Sequence, residues 1–208
     1  MPTPDTLIAF FGIAVLLALT PGPDNVFVLM QSALWGRRAG MLVVLGLCTG
    51  LLGHTAAVAV GLAAVFAASP LAFTALKLAG AAYLLYLAWQ VLRAPVGTND
   101  AARPARLPGA ALYRRGIIMN LTNPKVLLFF FAFLPQFTRP DAGPLATQIA
   151  VFGAVFMVAT LLVFGAIAFF SGAFGELLQR SPNAQRWLNR VAGIVFIGLA
   201  VRLATASR

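Results

Sequence analysis

Two apolar stretches of this sequence are interrupted at their middle by proline beside polar residues. The first interruption is Thr20-Pro21-Gly22-Pro23-Asp24-Asn25, and the second is Asn120-Leu121-Thr122-Asn123-Pro124-Lys125. Hydrocarbon tolerates a broken helix only where the freed backbone groups face protein or a water-filled cavity. Two such breaks at matching places in the two halves of a chain therefore indicate a solute-binding site within a membrane.

Each break offers hydrogen-bond acceptors and a positive helix end at one place. Proline has no N–H, so it frees the carbonyl four residues earlier in the chain. The helix-breaking residues are Pro21, Gly22, Pro23 and Pro124, and the freed carbonyls are those of Leu17, Leu19 and Asn120. Gly22 and Asn123 stand where an N-cap would stand, as if a new half-helix began after each. A zwitterionic amino acid needs both features, acceptors for its ammonium and donors for its carboxylate.

Each break also carries one charged residue. A lone charge at the middle of a bilayer costs about 2.5–3.5 kcal/mol on insertion scales, so Asp24 and Lys125 require compensation. The helix start favours Asp24 and opposes Lys125, so the lysine needs an anion, either Asp24 itself or the carboxylate of a substrate. The alternative is a structural role, in which the two residues form an ion pair or Lys125 extends along the bundle.

Asp24 and His54 are the two candidates for proton coupling. Asp24 is the only carboxylate inside an apolar run, whereas His54 lies among Gly46, Gly50 and Gly53 and is more typical of an interhelical hydrogen bond. Cys48 and His54 lie on different faces of a helix, so no metal site is expected. No cofactor is implied. No apolar run carries a nucleophile with its base or paired carboxylates, so an enzyme is not expected either.

The composition indicates an all-α membrane protein. Of 208 residues, 61% are hydrophobic and only 10% are charged, whereas a soluble domain carries about 25% charged residues. Apolar runs long enough to span a bilayer recur along the whole chain. We predict six transmembrane helices at residues 6–34, 41–67, 71–92, 112–136, 146–171 and 187–205, with the first and fourth broken at the proline motifs.

The six spans divide into two inverted three-helix repeats. Residues 1–92 form the first repeat, 93–111 a linker rich in Ala, Pro and Arg, and 112–208 the second repeat. An offset of 101 aligns Pro23 with Pro124. Later in the chain, residues 77–80 (Lys-Leu-Ala-Gly) resemble residues 190–193 (Arg-Val-Ala-Gly), and at that spacing of 113 Tyr83 matches Phe196. Because each repeat has three spans, the second enters the membrane from the opposite side, which is the architecture of many secondary transporters. The alternative is two unrelated proline kinks.

Arginine placement predicts the orientation. Ten arginines flank the connections after spans one, three and five: Arg37, Arg38, Arg93, Arg103, Arg106, Arg114, Arg115, Arg180, Arg186 and Arg190. The opposite side holds Arg139, Arg208 and Arg202. The first set is therefore expected in the cytoplasm, with the linker, and both termini in the periplasm. This distribution explains the net charge of +10 without a nucleic acid as partner.

The sequence resembles the LysE/RhtB family of amino-acid exporters. The resemblance rests on Gly12 before Pro21-Gly22-Pro23, on residues 36–40 (Gly-Arg-Arg-Ala-Gly), on Asn120-Leu121-Thr122-Asn123-Pro124-Lys125 and on residues 133–137 (Phe-Leu-Pro-Gln-Phe), and it covers nearly the whole chain. It implies export of amino acids or close derivatives across the bacterial inner membrane, driven by the ion gradient.

We therefore predict a secondary exporter, coupled to the proton gradient, with alternating access to a site in the middle of the membrane. The expected substrate-binding residues are Leu17, Leu19, Asp24, Asn25, Asn120, Asn123 and Lys125. Two other classes remain open, an exporter of another solute such as a metal cation and a non-transporting scaffold subunit. A homodimer is also compatible with the sequence, because the Gly46/Gly50 pattern brings two helices close, within one chain or between two.

Overall fold

The computed structural model describes residues 1–20, 22–68, 70–93, 107–171 and 182–205. Within these ranges the regular structure is entirely helical, which confirms the predicted all-α class. Eight α-helices are described: α1 Pro4–Leu19, α2 Pro23–Trp35, α3 Arg37–Ala68, α4 Pro70–Leu92, α5 Gly109–Leu121, α6 Pro124–Leu128, α7 Leu145–Phe169 and α8 Pro182–Thr205. Residues 94–106, which are most of the predicted linker and include Arg103 and Arg106, lie outside the described ranges. Arg180 and Arg208 also lie outside them.

The first proline motif separates α1 from α2. The axes of the two helices differ in direction by 66°. Gly22 is the N-cap of α2 and Pro23 is its first residue. The N–H of a first helical residue has no partner within the helix, so proline, which lacks this N–H, loses no hydrogen bond there. Pro21 lies outside the described residues. The C-cap of α2 is Gly36, whose positive φ of 86° favours glycine, and α3 begins at the next residue, Arg37.

The second proline motif separates α5 from α6. Asn123 is the N-cap of α6, and its side-chain Oδ1 accepts a hydrogen bond from the backbone N–H of Lys125 at 3.0 Å. Helix α6 lasts five residues and continues as a π-helical turn, Phe129–Phe133, and a 3₁₀ turn, Leu134–Phe137. Pro135 has no N–H to continue an α-helix, which accounts for the tightened 3₁₀ turn. The two arms of this broken helix differ in direction by 48°.

Two of the described helices are by themselves long and apolar enough to cross a membrane. They are residues 37–61 of α3 and the whole of α7. Two further spans result if each bent helix pair is counted as one span. These pairs are α1 with α2, and α5 with residues 124–137. Helix α7 has 25 residues, about 37 Å at 1.5 Å per residue, against a hydrocarbon core of about 30 Å. The described residues thus contain two to four candidate membrane spans, and the six predicted spans remain a prediction.

Glycine determines how closely α3 and α5 approach. A Cβ at Gly46 would overlap the backbone carbonyl of Tyr113, and one at Gly116 would overlap the carbonyl of Val43. One helical turn further along α3, a Cβ at Gly50 would lie 2.7 Å from the Cβ of Asn120. The Gly46/Gly50 pattern thus brings two helices of the same chain into backbone contact.

Two apolar clusters fill the core on either side of the breaks. The first, called here the aromatic cluster, consists of Phe10, Phe129, Phe130, Phe133, Phe137, Phe152 and Phe156. The centroids of rings in contact lie between 4.7 Å apart, for Phe10 and Phe152, and 6.4 Å apart, for Phe129 and Phe130. The second, the aliphatic cluster, includes Val28, Val43, Leu47 and Phe164. The run Phe129–Phe133 therefore packs in the core, apart from Phe131, which is half-buried against the cluster.

Candidate functional site

The ammonium of Lys125 lies against the C-terminal end of α1. Its Nζ donates hydrogen bonds to the carbonyl of Leu17 at 3.3 Å and to that of Thr20 at 3.2 Å. Carbonyls at the end of a helix carry the negative end of its dipole, so they stabilise a cation that the start of α6 opposes. The lysine side chain thus joins the two broken helices, and the residue is only 6% exposed.

Asp24 is held by an amide rather than by the lysine. The side-chain Nδ2 of Asn123 donates to Oδ2 of Asp24 at 2.7 Å. Among the described side chains, Asp24 and Lys125 form no direct ion pair, since the ammonium is directed to carbonyls instead. The second carboxylate oxygen, Oδ1, is buried and accepts no hydrogen bond from the described residues. An acceptor in this condition is available to a ligand.

His54 bonds the carbonyl that Pro124 leaves free. Its Nε2 lies 3.1 Å from the backbone oxygen of Asn120, and because a carbonyl can only accept, the imidazole donates. The ring is 4% exposed and lies 5.6 Å from the ring of Phe130. The carbonyl of Asn120, predicted as an acceptor for substrate, thus accepts from His54 on α3 and also from the backbone N–H of Asn123 at 3.0 Å.

Asn25 and Leu19 are two further residues predicted to bind substrate, and both lie at the first break. Asn25 donates from Nδ2 to the carbonyl of Ala18 at 2.8 Å, which bridges the break. The prediction for Leu19 concerned its backbone carbonyl, and its side chain is 41% exposed. The second carbonyl that meets Lys125 is that of Thr20, a residue of the motif whose carbonyl sequence reasoning did not single out.

Two cavities meet at Lys125. The inner cavity has a volume of about 10 Å3, enough for one water molecule, and lies between the aromatic and aliphatic clusters. Its wall includes Asp24, Asn120, Lys125 and Thr160. The outer cavity has a volume of about 360 Å3, within the range of small-molecule sites. Besides Lys125, the described residues that line the outer cavity are Gly22, Pro23, Tyr83, Tyr86, Leu87, Gln90, Asn123, Pro124 and Phe196.

Sequence reasoning did not select the polar residues that α4 and α7 contribute. Tyr83, Tyr86 and Gln90 have the spacing i, i+3, i+7, which puts them on one face of a helix and could have identified them. Thr160 is one of two threonines in the long apolar helix α7, and the sequence offers no signal that distinguishes it. Among the described residues, no group of three His, Cys, Asp or Glu side chains is placed to hold a metal ion.

Comparison with known proteins identifies the family. The model of the LysE type translocator family matches residues 15–207. The chain belongs to the LysE family. The resemblance inferred from the two proline motifs is thus confirmed, and the LysE family protein described here is a transporter rather than an enzyme.

Its relatives match over nearly their whole length. The homoserine/homoserine lactone efflux protein of Salmonella typhimurium is 35% identical over 199 residues, 95% of each chain. An uncharacterized membrane protein of Vibrio cholerae is 34% identical over 201 residues, 96% of each chain. A further uncharacterized membrane protein, from Pseudomonas aeruginosa, is 30% identical over 200 residues, 93% of this chain and 92% of its own. No solved structure matches the chain.

Proposed function

We propose that this translocator exports amino acids or close derivatives, and that the two helix breaks form its substrate site. The observation that carries the proposal is the placement of Lys125 and Asp24, two buried opposite charges that do not pair with each other. Such residues inside a membrane protein are costly, and they mark substrate pathways. A zwitterion is a ligand that can satisfy both charges at once. The efflux relative from Salmonella favours the same class of substrate.

The substrate lies across the two cavities in this proposal. Its carboxylate binds the ammonium of Lys125, which faces both cavities. Its ammonium, a single heavy atom of about the size of water, enters the inner cavity and donates to Oδ1 of Asp24. The side chain remains in the outer cavity, which alone is large enough to hold it. Asn123 keeps the carboxylate of Asp24 oriented through its hydrogen bond to Oδ2.

Several equivalences support two inverted three-helix repeats. The N-caps Gly22 and Asn123 differ by 101 positions, as do the helix ends Ala68 and Phe169. Helix α3 packs along α5, and α7 packs along α1, which is the exchange that a twofold axis requires. The pairs Gly22 and Asn123, and Pro23 and Pro124, at the offset of 101, and the pair Tyr83 and Phe196, at an offset of 113, all line the outer cavity. The proposed axis therefore passes through the substrate site.

The predicted orientation makes this conformation open to the cytoplasm. Gln90 lies near the end of α4 that is expected at the cytoplasmic surface of the bacterial inner membrane. The outer cavity therefore runs from the cytoplasmic side, at Gln90, to Lys125 at the breaks. On the opposite side, the aromatic cluster closes the path towards the periplasm. Export then requires the rings of this cluster to separate while the outer cavity closes, which is alternating access around a fixed site.

A reconstitution experiment tests the proposed function. Liposomes that contain the purified protein and are loaded with radiolabelled homoserine should release it at least about tenfold faster than protein-free liposomes. Unlabelled amino acids supplied together inside the vesicles should compete with it, whereas equal concentrations of divalent metal salts should not. If release equals that of protein-free vesicles for every common amino acid, the proposal is wrong and a scaffold role gains support.

Asp24 is proposed as the coupling residue because its free oxygen binds either a proton or the substrate ammonium, but not both. Because the proton and the substrate compete for the same carboxylate, each proton that binds Asp24 from outside displaces one substrate molecule, and the two are exchanged across the membrane. His54 is less suited, because its Nε2 proton is committed to the carbonyl of Asn120.

An acidic exterior should therefore accelerate efflux from liposomes that carry the wild-type protein. Asp24→Asn should abolish this acceleration, since an amide cannot carry the proton. The control His54→Gln retains a donor towards Asn120 and should keep the acceleration. The reverse result, with only His54→Gln insensitive to the gradient, would assign coupling to the histidine.

A further inference from the structure

Three polar side chains of α4 form a stripe along the wall of the outer cavity. Gln90 donates from Nε2 to the hydroxyl oxygen of Tyr86 at 2.6 Å, so the proton of that hydroxyl remains available. The rings of Tyr83 and Tyr86 lie 5.8 Å apart between centroids. No described residue forms a hydrogen bond with the hydroxyl of Tyr83. The stripe thus presents phenolic groups to the cavity, and Tyr83, about one turn before Tyr86 in α4, has a hydroxyl that can both donate and accept and that no group in the described part of the chain engages.

The other lining residues that α4 and α8 contribute are apolar. They are Leu87, on the same face of α4 as the stripe, and Phe196 of α8, the residue that corresponds to Tyr83 under the proposed twofold axis. Tyr83 and Phe196 differ by a single hydroxyl group, so the two helices are chemically different at these equivalent positions. Lys125 also lines the cavity, next to the breaks. A ligand anchored at Lys125 by its carboxylate would extend its side chain past apolar groups and the phenolic hydroxyl of Tyr83.

We infer that Tyr83 is a specificity-determining residue, whose hydroxyl binds a hydroxyl group on the side chain of the transported amino acid. This inference rests on the proposed function, since it takes Lys125 as the anchor of the substrate carboxylate. A hydroxylated side chain satisfies the free phenol, whereas an aliphatic one of the same length leaves it without a partner. A site built to bind a hydroxyl discriminates against the analogue that lacks it for this reason.

The experiment compares two substrates that differ only in that hydroxyl. Proteoliposomes are loaded with homoserine or with 2-aminobutyrate, its analogue without the hydroxyl, and initial efflux rates are measured over a range of concentrations. The wild-type protein should transport homoserine more efficiently. Tyr83→Phe should lower the efficiency for homoserine by about two- to tenfold, the value of one hydrogen bond, and leave that for 2-aminobutyrate unchanged. The ratio of the two efficiencies is the readout.

Tyr113→Phe is the matched control. Tyr113 is a tyrosine of α5 outside the outer cavity, and its hydroxyl bonds Thr49 at 2.8 Å. This variant should leave the substrate ratio at its wild-type value. If Tyr83→Phe lowers both efficiencies equally, Tyr83 has only a structural role, and if it changes neither, it does not contact the substrate. Either outcome overturns the inference. Failure of the wild-type protein to move both substrates would instead refute the proposed function.

Discussion

Lys125→Met should nearly abolish amino-acid efflux. Methionine preserves most of the length and apolar volume of the side chain but removes the cation proposed to bind the substrate carboxylate. It also leaves the carbonyls of Leu17 and Thr20 without their present donor. Truncating one partner of a buried, hydrogen-bonded charge pair costs about 2–5 kcal/mol, and the lower figure alone corresponds to about a 30-fold loss.

The measurement is initial efflux from proteoliposomes that contain equal amounts of folded protein. Arg139→Gln is the control, because it also removes one positive charge, but from an exposed pair with Asp141. Exposed ion pairs contribute about 0–1 kcal/mol, so this variant should transport at close to the wild-type rate. Efflux by Lys125→Met within a factor of two of wild type would remove the lysine from the site.

Gly46→Ala should destabilise the protein strongly. The added methyl group would overlap the backbone carbonyl of Tyr113 and lie 3.0 Å from the Cα of Gly116. These are backbone atoms of α5 and cannot move aside by changing a rotamer, so α3 and α5 must separate. Separation would also disturb the contact between Gly50 and Asn120 and the hydrogen bond from His54. Overpacking of this kind costs about 1–3 kcal/mol or more.

Thermal unfolding of the purified protein in detergent measures the effect. A loss of about 2 kcal/mol corresponds to a decrease in Tm of roughly 4–8 °C for a domain of this size. Gly61→Ala, in the same helix, is the control, because a Cβ there has no atom within 4 Å. Alanine favours the helix by up to about 1 kcal/mol over glycine, so the control should unfold at the same temperature or slightly higher. Equal Tm values for the two variants would contradict the close packing of α3 against α5.

The sequence alone determined the class of the protein and the location of its helix interruptions. Apolar runs longer than a bilayer core allow few other structures, because backbone groups in hydrocarbon must bond within their own helix. The predicted spans agree with the helices to within a few residues at most ends, as with 71–92 for α4 and 146–171 for α7. Proline at 23 and at 124 determines where α2 and α6 begin for a purely local reason, the absent N–H.

Only the tertiary structure decided which groups meet at the breaks. From the sequence, Lys125 needed an anion, and Asp24 or a substrate was the expected source. In the structure the ammonium of Lys125 donates to carbonyls at the end of α1. The carboxylate of Asp24 accepts its hydrogen bond from the side-chain amide of Asn123. The partner of His54 and the stripe on α4 likewise depend on which helix lies opposite. Hydrogen bonds in the bilayer interior form with whichever group packing brings within about 3 Å, and apolar sequence carries little information about that packing.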